Sequence, residues 1–357
     1  MWFSRGYVIE YYICPNTGIK KRISVKCNGT SDKAKQEAIK RLTDKLEHLT
    51  DTKILLSTCV DLWLKECERS IKPSTYRKYK ITLSSIQKVI GDAYMDKLTA
   101  GYIRQKFLEC GETNRTLNGY LKTFRTFWRW AYRNDFVKSP EVADKLQSFQ
   151  DTPKKERIQD KYLEPRELNK LLESMKEERW RLVTEFLALS GLRCGELASL
   201  NKMDTLGKYI RVSKTYDANN KIVTSAKTLS SKREVYIQSE LRDCINRIYE
   251  YCERQAEICD YTSELFFPDT DGSYLQYYTY RKYLAENSLK YLGRKIVPHT
   301  LRHTHCSMLA AKGMTLEAIS DRLGHSDSKV TKEIYLHKLE EQKEKENEQL
   351  DRIHLIG

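Results

Sequence analysis

The chain has 357 residues, with 63 Lys and Arg against 49 Asp and Glu, for a net charge of +14. That length allows two or three domains with their own cores, and no run of about 18 apolar residues offers a membrane span. A soluble protein with a polyanionic partner is the class that remains.

The charge is uneven. Residues 1–150 hold 28 Lys and Arg against 16 Asp and Glu, and the remainder holds 35 against 33, so the first part carries +12 of the +14. Ten cysteines are scattered without Cys-x-x-Cys pairs or His/Cys clusters at zinc spacing. Reduced thiols, no metal and no cofactor are therefore expected. Met1 to Gly6 lack the apolar run of a signal peptide, so a cytoplasmic location is expected.

Residues 7–13 are β-branched and aromatic, Pro15-Asn16-Thr17-Gly18 is a turn, and residues 19–26 alternate again, which predicts a hairpin. From Ser31, a possible N-cap, to Leu49, apolar residues recur on one helical face. Lys20, Lys21 and Arg22 lie in this basic sheet-plus-helix unit over residues 1–50. They are either a solvated surface or a DNA contact.

Residues 54–146 read as almost wholly helical. Val60, Trp63 and Leu64 mark one helix, and Lys72-Pro73-Ser74-Thr75 opens a second that Gly91 ends. Leu98 to Phe107 gives a third and Asn114 to Tyr132 a fourth. Lys72, Arg77, Lys78, Arg115, Lys122 and Arg125 are candidate phosphate contacts along these helices, and the aromatics beside them read as core. Residues 147–160 lack apolar periodicity and read as a linker. Pro165 then opens a helix at N1, and a mainly apolar helix from Trp180 to Leu189 leads to Arg193.

The chemistry concentrates in residues 297–337. His299 and Arg302 open one helix, Lys312-Gly313 closes it, Leu323-Gly324-His325 ends the next, and Tyr335 stands ten residues on. A phenol with a pKa near ~10 is a poor nucleophile at neutral pH and needs a proton acceptor or a positive field. Arginine suits a phosphodiester target, because its planar fork grips two oxygens and keeps its charge. The imidazoles exchange protons near neutrality. Together these groups read as phosphoryl transfer through a covalent tyrosyl intermediate.

His299-Thr300-Leu301-Arg302-His303, Leu323-Gly324-His325 and Ile334-Tyr335-Leu336-His337 together resemble the tyrosine recombinase (phage integrase) family. Upstream, Ser190-Gly191-Leu192-Arg193-Cys194-Gly195-Glu196-Leu197 matches that family's first-arginine box, and Ala226-Lys227-Thr228 with Ser231-Lys232-Arg233 resembles its lysine hairpin. The resemblance implies a catalytic set of Arg193, Lys227, His299, Arg302, His325 and Tyr335, with Tyr335 the nucleophile. Lys227 would protonate the leaving 5′ oxygen, with Lys232 and Arg233 as competitors for that role. His299 would accept the phenol proton, and His325 would bond a phosphate oxygen. Glu196 is the candidate for orienting a guanidinium. His303, His305 and His337 are read as structural.

The implied architecture is multidomain and mainly α with small β elements. An arm-type DNA-binding unit (1–50) precedes a helical core-binding domain (54–146), a linker (147–160), a mixed α+β catalytic domain (161–340) and a C-terminal tail (341–357). Residues 222–224 and 234–237 are expected to flank one hairpin whose tip reaches a DNA groove. The implied activity is integration and excision of a phage or mobile element, with DNA attachment sites, a homotetramer on DNA, and a host DNA-bending factor and an excisionase as partners. A Xer-type resolvase, a relaxing topoisomerase and a non-cutting DNA-binding protein are the alternatives. The basic unit before residue 50 favours an integrase over the first, since Xer-type chains usually begin at the helical domain.

Overall fold

A computed structural model describes residues 1–13, 20–50, 54–151, 157–225, 232–324 and 329–353. The chain divides into two units, Met1–Thr152 and Pro153–Gly357. Among the described residues no helix is long and apolar enough to cross a membrane.

The first unit opens with an antiparallel sheet of β1 (Trp2–Ser4), β2 (Tyr7–Ile13) and β3 (Lys20–Lys26). The predicted hairpin is β2–β3. The added strand β1 escapes sequence reading because three residues are too few to show a period. A two-residue turn with positive φ at both Arg5 (47°) and Gly6 (79°) folds β1 onto β2, the geometry that matches strand twist. α1 (Asp32–Thr50) covers one sheet face, burying Val8 and Ile23 against Ala38 and Leu42. The Ser31 hydroxyl accepts the Ala34 N–H at 3.3 Å, as an N-cap does.

Five helices follow: α2 (Leu56–Ser70), α3 (Pro73–Ile90), α4 (Ala100–Glu109), α5 (Asn114–Arg133) and α6 (Glu141–Lys145). Their boundaries follow the sequence signals. Pro73 stands at N1, Gly91 ends α3 with φ 78°, and the Thr99 and Thr113 hydroxyls accept N–H groups of the first turns of α4 and α5. The third predicted helix therefore begins at Ala100 rather than Leu98, because Thr99 caps it. Trp63, Phe107, Phe124, Phe127 and Trp128 are buried together, so these aromatics are core, as read from the sequence.

Residues 147–150, at the start of the expected linker, are bonded to the helices. Phe149 is buried against the helices, and its N–H and C=O both bond the Asn118 amide, at 2.8 and 2.9 Å. Asn114 donates to the Gln150 carbonyl and Arg104 to that of Gln147. A backbone so bonded belongs to the helical unit, though nothing in its sequence period says so.

The second unit is built around α8 (Glu178–Ser190), which is apolar nearly all round and packs against α10 (Ser239–Cys259) and α12 (Pro298–Ala311). A helix without a polar face is a core helix. α7 (Pro165–Ser174) precedes it, with Pro165 at N1 as read, and α9 (Cys194–Ala198) follows. α11 (Tyr277–Leu292), α13 (Leu316–Leu323) and α14 (Lys329–Leu350) complete the helices.

The strands are β4 (Tyr209–Val212), β5 (Lys214–Asp217), β6 (Ile222–Ser225) and β7 (Arg233–Tyr236). The expected single hairpin is corrected: β6 pairs with β5, and β7 pairs with β4. The deciding signal is Asp217, whose carboxylate accepts the N–H groups of Asn219 and Asn220 and so closes a tight turn between β5 and β6. The expected hairpin tip, with Lys227, lies outside the described residues.

Candidate active site

Gly191 ends α8 in the left-handed conformation, φ 69°, with its N–H on the Leu187 carbonyl. A side chain there meets two obstacles at once. A Cβ would stand 2.6 Å from His305 Cδ2 and 2.8 Å from Leu323 Cδ2. Gly191→Ala is therefore expected to destabilise the second unit by about 2–4 kcal/mol, from backbone strain and overpacking together. Urea unfolding measures it, and a loss below about 0.5 kcal/mol would refute the account.

Two residues later Arg193 sits extended at the start of α9. Its guanidinium donates to Glu196 Oε1 at 2.7 Å, and its backbone N–H to Oε2 at 2.8 Å. Glu196 thus holds both the guanidinium and the backbone N–H of Arg193. Glu196 is 4% exposed. Burial alone would raise its pKa, but the hydrogen-bonded Arg233 and Arg193 overcome this and hold the carboxyl near about 2. Gly195 lets α9 approach β5, since a Cβ there would lie 2.7 Å from the Thr215 hydroxyl and the Tyr216 carbonyl.

Arg302, on the first turns of α12, is 1% exposed. It donates to the Gly191 carbonyl at 2.7 Å and to the Leu323 carbonyl. Burial, and then the neighbouring charge of Arg193, push its pKa down to about 9, which leaves it a cation at neutral pH. Arg193, Arg233 and Arg302 thus set three cations around one carboxylate, an excess of positive charge suited to an anion.

His299 precedes Arg302 on the same helix. Burial of the ring and the charges of Arg302 and Arg193 lower its pKa, so it is neutral near pH 7 and able to take a proton. The His303 ring meets it edge-on, centroids 4.7 Å apart, and is itself pushed down to about 4, first by burial and then by His299. His305 is structural, as expected. Its Nδ1 lies 2.8 Å from the Ala188 carbonyl, its Nε2 lies 2.9 Å from Arg322 Nε, and burial drives its pKa to about 3. The donor at Nε2 and the acceptor at Nδ1 assign the Nδ1–H tautomer.

Tyr335 lies half-buried on α14, packed on the cluster of Cys306, Ala310, Ile319, Leu323 and Ile334. α14 itself packs on α12, the helix of His299 and Arg302. Ion pairs hold α14 on both sides of Tyr335. Lys161 meets Glu333 at 3.1 Å, and Lys338 meets Glu164 at 2.6 Å while lying over the Tyr162 ring. Burial keeps the nearby thiols of Cys194 and Cys306 protonated, each with its pKa raised to about 12, so neither is a rival nucleophile.

The structure therefore brings Arg193, Glu196, His299 and Arg302 into one electrostatic cluster and puts Tyr335 on α14, which packs against α12. His325, like Lys227, lies outside the described residues. Of the candidate DNA contacts, Lys20, Lys21, Arg22, Lys72, Arg77, Lys78, Arg115 and Lys122 are exposed. Arg125 is half-buried, and its guanidinium donates to the Leu146 carbonyl at the end of α6. Arg233 is likewise buried, not a surface competitor of Lys227. Sequence reading missed Arg322, which donates to His305, the Tyr236 carbonyl and the Gln238 side chain, and it missed Lys338 with Glu164. Their partners lie far away in sequence, and no local pattern marks them.

Among known proteins, the phage integrase family matches residues 161–342. The phage integrase N-terminal SAM-like domain matches residues 55–109. A protein named "Prophage ps2 probable integrase" from Lactococcus lactis subsp. lactis is 25% identical over 94% of each chain. A tyrosine recombinase from Pseudothermotoga lettingae is 31% identical over 68% of this chain and 77% of its own. Among solved structures, the lambda integrase tetramer bound to a Holliday junction superposes with a TM-score of 0.60, at 17% identity, over 92% of this chain and 94% of that one.

Proposed function

This chain belongs to the phage integrase family and is a DNA strand-breaking and rejoining tyrosine recombinase, and from that premise we propose that its catalytic set is Arg193, Lys227, His299, Arg302, His325 and Tyr335. The observation that carries the reading is the pair of Arg193 and Arg233 on one buried carboxylate, with the charge of Arg302 and a neutral His299 close to it on α12, the helix against which α14 packs.

Tyr335 Oη attacks a DNA phosphorus. The new O–P bond forms as the bond to the 5′ oxygen breaks, leaving a 3′-phosphotyrosyl link. The phenol proton passes to His299, and Lys227 gives the leaving oxygen its proton. Arg193 and Arg302 neutralise the charge that gathers on the phosphate oxygens in the transition state. The ester energy stays in the covalent bond, so the attacking 5′ hydroxyl of a second strand reverses the step without an external energy source.

Residues 54–146 form the core-binding domain, residues 161–340 the catalytic domain and residues 341–357 the C-terminal tail in this reading, with the bond network of residues 147–150 drawing the linker inward. Residues 1–50 serve as an arm-type DNA-binding unit. The sheet face away from α1 supports that role: it carries Trp2, Tyr7 and Tyr11, exposed, with Lys20 over the Tyr11 ring at 4.8 Å. That unit also supports integration and excision of a mobile element over the work of a resolvase. DNA attachment sites and a homotetramer on DNA complete the reading, as the junction-bound tetramer of lambda integrase supports. A host bending factor, an excisionase and a cytoplasmic setting belong to it as well.

The test is a duplex nicked beside the cleavage site, so that the cut strand cannot rejoin, incubated with the protein in EDTA. A protein-linked band on a denaturing gel is expected. No band on attachment-site DNA that the protein binds would overturn the enzymatic reading, and a band only with added divalent metal would replace it with metal-assisted cleavage.

A further inference from the structure

Arg233 opens β7 and points its guanidinium into the interior, with its side chain 6% exposed and that of Glu196 5% exposed. Nη2 donates to Glu196 Oε2 at 2.9 Å and Nη1 to Oε1 at 3.2 Å, a forked pair on one carboxylate. Each of those oxygens also holds Arg193, at 2.7 Å through the guanidinium and at 2.8 Å through the backbone N–H. Glu196 therefore cannot turn without breaking bonds on both sides. Meanwhile Arg233 Nε donates to the Arg322 carbonyl at 2.8 Å. The next carbonyl in the chain, that of Leu323, takes Arg302. Both are last-turn carbonyls of α13, which lack partners within their own helix.

We infer that Arg233 is a positioning residue for the phosphate-binding arginines: it fixes Arg193 through Glu196 and Arg302 through the C-terminal end of α13. This rests on the reading that Arg193 and Arg302 neutralise the reacting phosphate. Arg233 does not itself meet the substrate. An arginine is required because its planar fork serves a carboxylate on one edge and a carbonyl on another, whereas the point charge of a lysine holds only one of them in place.

Single-turnover formation of the covalent complex on the nicked duplex tests this with wild type, Arg233→Gln, Arg233→Lys, Glu196→Gln and Arg193→Ala. Each is run on an ordinary substrate and on one whose scissile phosphate has a methyl group in place of one non-bridging oxygen. The methyl-substituted phosphate carries no charge to neutralise. Arg233→Gln is expected to slow the covalent step about 10- to 100-fold with duplex affinity unchanged, since groups that orient a contacting residue act on this scale. Arg233→Lys should recover only part of the rate, and the deficit of Arg233→Gln should shrink on the methyl-substituted substrate. Glu196→Gln should show the same substrate dependence, and the Lys and Glu196→Gln variants carry the test if Arg233→Gln does not fold.

Wild-type rates in Arg233→Gln would overturn the inference. So would equal deficits on both substrates, which would make Arg233 a folding residue only. Undiminished cleavage by Arg193→Ala would instead overturn the reading beneath it; loss there with Arg233→Gln unaffected would overturn this inference alone.

Discussion

Tyr335→Phe is expected to lose covalent complex formation by at least about 10⁴-fold, the scale on which removal of a nucleophile abolishes a covalent mechanism. Binding to duplex DNA should persist. The substitution removes one hydroxyl and keeps the ring, so the packing on Cys306, Ala310, Ile319 and Leu323 survives, as do the ion pairs of Lys161 and Lys338 that hold α14. The melting temperature should therefore stay within about 2 °C of wild type. The chain has 23 tyrosines, and a protein-linked band that survives in Tyr335→Phe would mean that another of them is the nucleophile. A band lost together with a large fall in melting temperature would leave the nucleophile unassigned and make α14 docking the cause, which the unchanged core argues against.

The second large effect is on stability in acid. In the folded chain the His305 imidazole protonates only near about 3, while an exposed histidine does so near 6.5. The cause is burial, with the charge of Arg322 adding to it. As pH falls below 6.5, the unfolded chain takes up the proton first, so stability is complete above that value and drains away toward the folded pKa. One such group removes up to roughly 1.4 kcal/mol per pH unit across that window. His303, held near about 4, adds a second contribution in the upper part of it. Glu196, held near about 2, adds a third only at lower pH, below the ordinary carboxylate range. Denaturant unfolding at about pH 7 and about pH 5 should show a stability loss of several kcal/mol in wild type, with a clearly smaller pH slope in His305→Asn. Equal slopes in the two proteins would show that the buried imidazole is not the source.

The helical unit was the most legible part of the chain, because its boundaries are written in local chemistry. Pro73, Gly91, Thr99 and Thr113 punctuate helices whose apolar residues repeat at the expected spacing. The catalytic boxes were legible for a different reason: fixed short spacings such as that from His299 to Arg302 follow from one helix presenting both residues to one place. The strand pairing was not. β6 can pair with β5 or β7 as far as alternation goes, and only the Asp217 turn, a local competition for backbone N–H groups, decides it. The supporting ion pairs were invisible for a stronger reason. Lys338 and Glu164 are far apart in sequence, and nothing short of the folded helix contacts brings them together. Arg233 shows both sides at once. Its residue type drew notice in Ser231-Lys232-Arg233, but exposure, which separates a DNA contact from a buried support, is a property of the fold.

The thin interior of the first 50 residues has a consequence of its own. Among the described residues, Val8, Ile23, Ala38 and Leu42 form the buried cluster beneath α1, and a segment of that size sits at the lower limit of what burial can hold together. Ordering its sheet costs about 1–2 kcal/mol of backbone entropy per residue, against about 1.5–3 kcal/mol for each large apolar side chain buried. On the arm-type role proposed for this segment, its folding and its recognition of DNA are a single linked equilibrium. On that reading, a duplex that engages Trp2, Tyr11 and Lys20 would raise the folded population of this segment by mass action.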